Sequence, residues 1–275
     1  MLHGDIVEIN HAQRAFKAWS VLTDCATKGK TITYAGLGAA IGIHHRPIRY
    51  VLGLIQDHCI AEGLPPLTIL VVNQKGLPGS GFIAYNVDRF EEGRQSVYSR
   101  DWSTVENPFQ YASDGHKYGE IVTTLATNPD ASGEVMRLVK SRGMAQVMFR
   151  DALLKCYENS CAFTGLTFPE ALEACHIVPW SSCSIEQRID VRNGVLLNSL
   201  HHRLFDRGWI TITEDHRIWF SDPQMEAEPY STFDRSVSVD LHNKKMRLPR
   251  NIALSPSPEL LRESHRIHEW EGTVG

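Results

Sequence analysis

Two stretches of the chain decide the fold of its C-terminal half: LEACHIVP, residues 172–179, and NGVLLNSLHHRLFDRG, residues 193–208. His176 begins a His-x2-Pro element, and Asn193 follows it 17 residues later. His202 lies nine residues after Asn193, and Asp206 lies four residues after His202. Because residues four apart share one face of a helix, His202 and Asp206 are able to bind the same ion.

These residue types suit the hydrolysis of a phosphodiester. That reaction needs a base to activate water, a cation to stabilise the developing charge, and a group that holds the base at the right angle. Histidine serves as the base because its unperturbed pKa lies near neutrality. One imidazole and one carboxylate make a site for a single divalent ion, Mg, Mn, Ni or Zn, with positions left open for phosphate and water.

The segment 142–220 resembles the HNH, or ββα-metal, endonucleases of the branch common in restriction-type proteins. Beyond the spacing above, the similarity includes RGMAQ at 142–146, CAFTG at 161–165 and LFDRG at 204–208. The resemblance implies that His176 is the general base and that Asn193 orients the loop bearing it. It also implies that His202 and Asp206 hold the metal of a DNA endonuclease, that is, a phosphodiester hydrolase.

The segment departs from that family in two places. The residue before the base is often a further ligand, and here it is Cys175, which either ligates the metal as a thiolate or is inert. Many relatives also carry a four-cysteine zinc site around the motif. The matching positions here are Cys161, Thr164, Asn198 and His201, which cannot make that site. We therefore expect no structural zinc and predict that hydrogen bonds and packing replace it.

Hydrophobic periodicity in the N-terminal half predicts a winged-helix order of elements. The predicted elements are helices over 9–25, 35–43 and 48–61, a short β-like run over 31–34, a strand over 67–72 and a turn-rich wing over 73–81. Such an arrangement commonly places its last helix in a DNA groove.

Residues 16–82 resemble the DNA-binding domain of the alkylguanine-DNA alkyltransferases and alkyltransferase-like proteins. The similarity rests on TITY at 31–34, Gly42, Arg49 with Val51, and PLTIL at 66–70. It implies that Tyr34 contacts a phosphate and that Arg49 enters the base stack. The reactive Pro-Cys-His-Arg element is replaced by LVVNQ at 70–74, which excludes alkyl transfer. An unrelated helical scaffold remains the alternative.

The net charge of −4 argues only mildly against a nucleic-acid partner, because phosphate contacts need only a local basic stripe. Residues 14–57 hold six Lys/Arg and two Asp, and residues 137–155 hold five Lys/Arg and one Asp, so each stripe carries +4. Lys30 and Arg46 join Tyr34 and Arg49 as candidate DNA contacts. The segment His44-His45-Arg46 fits a phosphate-contacting patch and a solvated turn equally well.

Together these patterns predict an α+β chain: a winged-helix-like DNA-recognition domain over 1–100, a linker or irregular connection over 101–135, and an HNH nuclease domain with a C-terminal extension over 136–275. With 275 residues and 42% hydrophobic content, two domains can each bury a core. No secretory signal or apolar run of about 18–20 residues is visible, so we expect a soluble cytoplasmic protein with no membrane partner.

The predicted function is restriction-type cleavage of double-stranded DNA, with dependence on base modification as a further possibility. One HNH site cuts one strand, so double-strand cleavage predicts a homodimer or two binding events. Two alternatives stay open: a catalytically silent DNA-binding regulator with a degenerate HNH domain, and a nuclease of RNA or toxin type that uses the same fold.

Overall fold

The computed structural model describes residues 9–79, 82, 89–227 and 229–270. They form two compact units. The first runs up to Tyr118 and includes Leu138–Met144, and the second comprises Gly119–Arg137 and the chain from Ala145 onward. The helices are α1 His11–Thr27, α2 Tyr34–Ile41, α3 Ile48–Ala61, α4 Phe90–Ser99, α5 Tyr118–Leu125, α6 Ser132–Leu138, α7 Arg142–Cys156, α8 Ser199–Asp206, α9 Thr232–Ser236 and α10 Pro258–Ile267. The strands are β1 Ile32–Thr33, β2 Val71–Val72, β3 Leu172–His176, β4 Gly194–Asn198, β5 Ile210–Ile212 and β6 Ile218–Phe220.

In the first unit, α1 packs against α3 around a buried tryptophan. Trp19 meets Trp102 and Phe109 edge-on, with ring centroids 5.9 and 6.3 Å apart. The N-cap residue Asn10 accepts a hydrogen bond from the Gln13 backbone and donates one to the carbonyl of Gly115. These contacts tie the segment after Trp102 to the helical core.

The predicted order of elements in this half agrees with the structure in its three helices. Gly42 ends α2 in the left-handed conformation with φ of 74°, which glycine adopts without a Cβ penalty. The predicted strand over 67–72 is wrong over most of its length, because Leu67–Leu70 form a 3-10 turn and only Val71–Val72 pair, in parallel, with β1. A short, fully buried apolar run has no period that separates a strand from a turn. The predicted wing over 73–81 lies partly outside the described residues.

The segment 101–135 is more ordered than an irregular connection. It contains a 3-10 turn over Trp102–Thr104, another over Gln110–Ala112, the helix α5 and most of α6. Its apolar residues are too widely spaced to give a helical period over a long window, yet Ile121, Val122 and Leu125 of α5 are buried. The predicted irregular connection is therefore wrong. These short helices are stabilised by tertiary packing, and a short helix leaves no clear periodic pattern in the sequence.

The second unit carries the ββα element. Strands β3 and β4 pair antiparallel, with Leu172 opposite Asn198 and His176 opposite Gly194, and α8 follows directly. Strands β5 and β6 form an antiparallel hairpin after α8, and α10 is the last helix of the described residues. Between that hairpin and α10, Ile252–Leu254 form a 3-10 turn capped by Asn251.

The side chains of Cys161, Thr164, Asn198 and His201 form a connected hydrogen-bond network. The Asn198 amide donates to Thr164 Oγ1 at 3.2 Å, and its backbone N–H lies 3.3 Å from Cys161 Sγ. Asn198 Oδ1 accepts from the His201 backbone and lies 3.0 Å from His201 Nδ1. His201, fully buried, also places Nε2 2.9 Å from the carbonyl oxygen of Val237. Polar contacts thus join the turn after Cys161 to the start of α8.

Replacing Asn198 by alanine should destabilise the second unit by about 0.5–2 kcal/mol, because the His201 backbone N–H loses the side-chain oxygen that caps α8. Hydrogen exchange of β4 and α8 amides during urea unfolding measures the loss. Asn198→Asp keeps the capping oxygen and should cost less than half as much. Equal losses for both variants would contradict the role given to that oxygen.

Candidate active site

Strand β3 and helix α8 bring three potential metal ligands together. Side chains alternate across a strand, so Glu173 and Cys175 share one face of β3. His202 and Asp206 project from one face of α8, with His202 Nε2 3.4 Å from Asp206 Oδ2. Cys175 Sγ lies 4.0 Å from Asp206 Oδ1. The three ligand atoms of Cys175, His202 and Asp206 lie within 4.8 Å of one another, a spacing that a single divalent ion can bridge.

The Cys175 thiol is buried at the centre of this group. Burial raises the pKa of Cys175 well above its usual range, and the nearby carboxylates of Asp206 and Glu173 raise it further. The thiol therefore keeps its proton while no cation is bound. A divalent ion reverses this preference, because ligation takes the deprotonated sulfur and releases a proton.

His176 stands at the end of β3 with its imidazole held on two sides. The ring stacks on Phe149 of α7, with centroids 4.1 Å apart and planes inclined by 16°, and meets Trp180 edge-on. Its Nε2 lies 3.0 Å from the carbonyl oxygen of Arg188. A carbonyl only accepts, so Nε2 carries the proton and Nδ1 keeps the free lone pair. Burial lowers the pKa of His176, although the Arg188 carbonyl opposes that shift.

The loop between β3 and β4 is fastened by the fully buried amide of Asn193. Asn193 Oδ1 accepts from the Val178 backbone at 2.8 Å, and Nδ2 donates to the carbonyls of Val178 and Gln187 at 3.2 and 3.1 Å. Gln187 directly precedes Arg188, whose carbonyl meets His176. The asparagine is thus connected to the imidazole through two residues of loop backbone.

Gly194, opposite His176 in the hairpin, makes room for the ring that stacks on the imidazole. A Cβ at this position would lie 2.5 Å from Phe149 Cζ and 2.7 Å from Leu153 Cδ1. Any larger residue would therefore push Phe149 away from His176. Glycine is needed at position 194 because there is no room for a Cβ, and not because of its backbone conformation.

Glu173 is a member of the site that the sequence prediction missed. Its Oε2 lies 2.5 Å from His202 Nδ1, on the ring nitrogen not directed at Asp206. Burial tends to raise the pKa of Glu173, but the hydrogen bond and charge of His202, with Ser199 and Arg203, outweigh it and leave the pKa lowered. The signal was available, because Glu173 is two positions from Cys175 and a strand places both on one face.

The candidate DNA contacts lie in the first unit. Lys30 is exposed after α1, and Arg46 is exposed just before α3. Tyr34 begins α2, and its hydroxyl accepts a hydrogen bond from the Gly79 backbone at 2.8 Å. Arg49, in the first turn of α3, donates to the Tyr50 hydroxyl at 2.7 Å. Tyr34 and Arg49 both line a cavity of about 400 Å³, which Lys30 and Arg46 do not line.

Strands β3 and β4 and helix α8 form a ββα element with an imidazole at the end of β3 and a mixed ligand group between β3 and α8. A family model described as HNH endonuclease matches residues 161–213, which include the strands, the loop and α8. This segment is therefore similar to the HNH endonucleases, a class that acts on nucleic acid and generally uses a divalent metal. No curated protein matches the chain. No described helix is both long and apolar enough to cross a bilayer.

Gly194→Ala should lower the free energy of unfolding of the second unit by about 1–3 kcal/mol, the usual cost of overpacking a core. It should also reduce cleavage, because the displaced Phe149 no longer supports His176. Unfolding of the Gly194→Ala, Phe149→Leu and double variants measures the change in stability, and their cleavage rates measure the change in activity. The double variant should regain stability relative to Gly194→Ala without regaining activity. A fully stable Gly194→Ala chain would contradict the packing account.

Proposed function

We propose that the protein is a metal-dependent DNA endonuclease that hydrolyses phosphodiester bonds. The observation that carries this proposal is that one ββα element holds both a candidate general base and a candidate metal-ligand group. His176 presents a free Nδ1 at the end of β3, and the ligand group Cys175, His202 and Asp206 lies between β3 and α8. The HNH match over 161–213 supports the same conclusion.

In the proposed mechanism, His176 Nδ1 takes the proton of the attacking water. The lowered pKa keeps this imidazole neutral, and therefore able to accept a proton, at neutral pH. Nε2 keeps its proton and donates a hydrogen bond to the Arg188 carbonyl, and the loop held by Asn193 fixes that carbonyl in place. As positive charge develops on the ring, the same carbonyl stabilises it.

The residues present fit one divalent ion. Cys175, His202 and Asp206 would hold it and leave positions for phosphate and water. When bound, the ion stabilises the negative charge on the pentacoordinate phosphorus and on the leaving 3′ oxygen. The sulfur donor of Cys175 favours softer ions within the set Mg, Mn, Ni and Zn, since Mg prefers oxygen ligands.

Purified protein should nick supercoiled plasmid in the presence of a divalent ion, and His176→Ala should lower the rate by a factor of about 10²–10⁴, the usual contribution of a general base. The assay measures conversion of supercoiled to open-circular DNA with Mg, Mn, Ni or Zn. His116→Ala, which removes an exposed histidine of the first unit, should leave the rate unchanged.

The silent-regulator alternative predicts a different outcome. A chain that binds plasmid DNA but does not nick it with any of the four ions, while remaining folded, would overturn the proposed activity. Cleavage of single-stranded RNA in preference to plasmid would instead favour a nuclease of RNA or toxin type.

We further propose that residues 1–100 form a winged-helix-like DNA-recognition domain and that 136–275 form the nuclease domain. The recognition role is supported by Tyr34 and Arg49, which line one cavity beside the first turn of α3. Gln56 and Thr68 line it too; both are buried, and Thr68 Oγ1 lacks a hydrogen-bond partner among the described residues. A restriction enzyme that senses modified bases, acting as a homodimer in the cytoplasm, is the specific form of this proposal.

Plasmids that are unmodified, methylated or hydroxymethylated should be cut at different rates. Arg49→Ala should reduce DNA binding and narrow these differences, because it removes a cation from the rim of the cavity. Binding and cleavage of all three plasmids measure the effect, with Arg100→Ala as a control of equal charge elsewhere in the same unit. Equal cutting of all three plasmids by the native chain would end the modification-sensing proposal.

A further inference from the structure

The His202 ring has two nitrogens with different surroundings. Nε2 lies 3.4 Å from Asp206 Oδ2, on the side of the ligand group. Nδ1 lies 2.5 Å from Glu173 Oε2. Only one nitrogen of a neutral imidazole carries a proton, so the partner of Nδ1 decides which nitrogen is free to ligate an ion.

The surroundings of Glu173 suit it for holding that proton. Its carboxylate is an acceptor on the nitrogen that does not face the ligand group, and it lies outside the cluster formed by Cys175, His202 and Asp206. Glu173 also belongs to β3, whose pairing with β4 fixes the direction of its side chain, with Leu197 as its cross-strand partner. A rigid strand therefore presents this carboxylate to the helix that bears His202.

We propose that Glu173 is a positioning residue that binds the Nδ1 proton of His202 and thereby leaves Nε2 as the nitrogen that ligates the metal. The proposal rests on the proposed metal site. A carboxylate that accepts the second ring proton of a ligating histidine fixes the tautomer and ring orientation and makes the other nitrogen a stronger donor. Loss of such a partner typically weakens metal affinity by 10–100-fold.

The first test is the tautomer of His202 in the metal-free protein, read from ¹⁵N chemical shifts of the imidazole. The native chain should show the proton on Nδ1. Glu173→Ala should shift the population towards the Nε2–H form, and Glu173→Gln, which keeps a neutral acceptor, should shift it less. A native ring protonated on Nε2, or an unchanged tautomer in Glu173→Ala, would overturn the proposal.

The second test is the affinity for Mn or Ni ions, measured by calorimetry on the full chain. Glu173→Ala should weaken binding by about 10–100-fold. The matched control is Glu170→Ala, which removes an exposed carboxylate from the turn just before β3 and should leave affinity unchanged. Equal affinities for the native and Glu173→Ala chains would overturn the proposal.

The two tests separate this proposal from the proposed function. If the native chain binds neither ion, the metal site fails, while the tautomer measurement still decides what Glu173 does to His202. If the native chain binds and nicks but Glu173→Ala leaves both tautomer and affinity intact, the nuclease stands and the role of Glu173 falls.

Discussion

The buried amide of Asn193 is the interaction on which the proposed site depends. Its three hydrogen bonds with the backbone of Val178 and Gln187 hold the two ends of the β3–β4 loop together. Breaking them would leave a buried amide without partners, which costs a few kcal/mol, about 1–3, and therefore favours this loop conformation. The Arg188 carbonyl follows within that loop and fixes the imidazole of His176. One side chain outside the ligand group thus determines which nitrogen of the proposed base is free.

The site also depends on space. Phe149 reaches the face of His176 because its ring passes over Gly194, where there is no Cβ to block it. The same stacking buries the imidazole and contributes to its lowered pKa. Packing and electrostatics therefore act together here, and the helix α7 belongs to the site although it contributes no polar group to it.

Several parts of the structure followed from local pattern. The helices α1, α2 and α3 were predicted within a few residues, because each has helical periodicity or clear end signals. The 3-10 turn at Leu67–Leu70 and the helices α5 and α6 were not predicted. Short elements in buried or polar segments depend on contacts distant in sequence, so their local pattern is ambiguous.

The sequence by itself determined the spacing of His176, Asn193, His202 and Asp206, since that spacing is a property of the chain. The four-residue separation of His202 and Asp206 alone implies that both lie on one face of a helix. It also showed that Cys161, Thr164, Asn198 and His201 cannot make a four-cysteine zinc site. Only the tertiary structure decided that these four form one hydrogen-bond network, that Cys175 points into the ligand group, and that Glu173 binds His202. Those facts depend on how β3, β4 and α8 pack, and packing brings together residues whose separation along the chain carries no period.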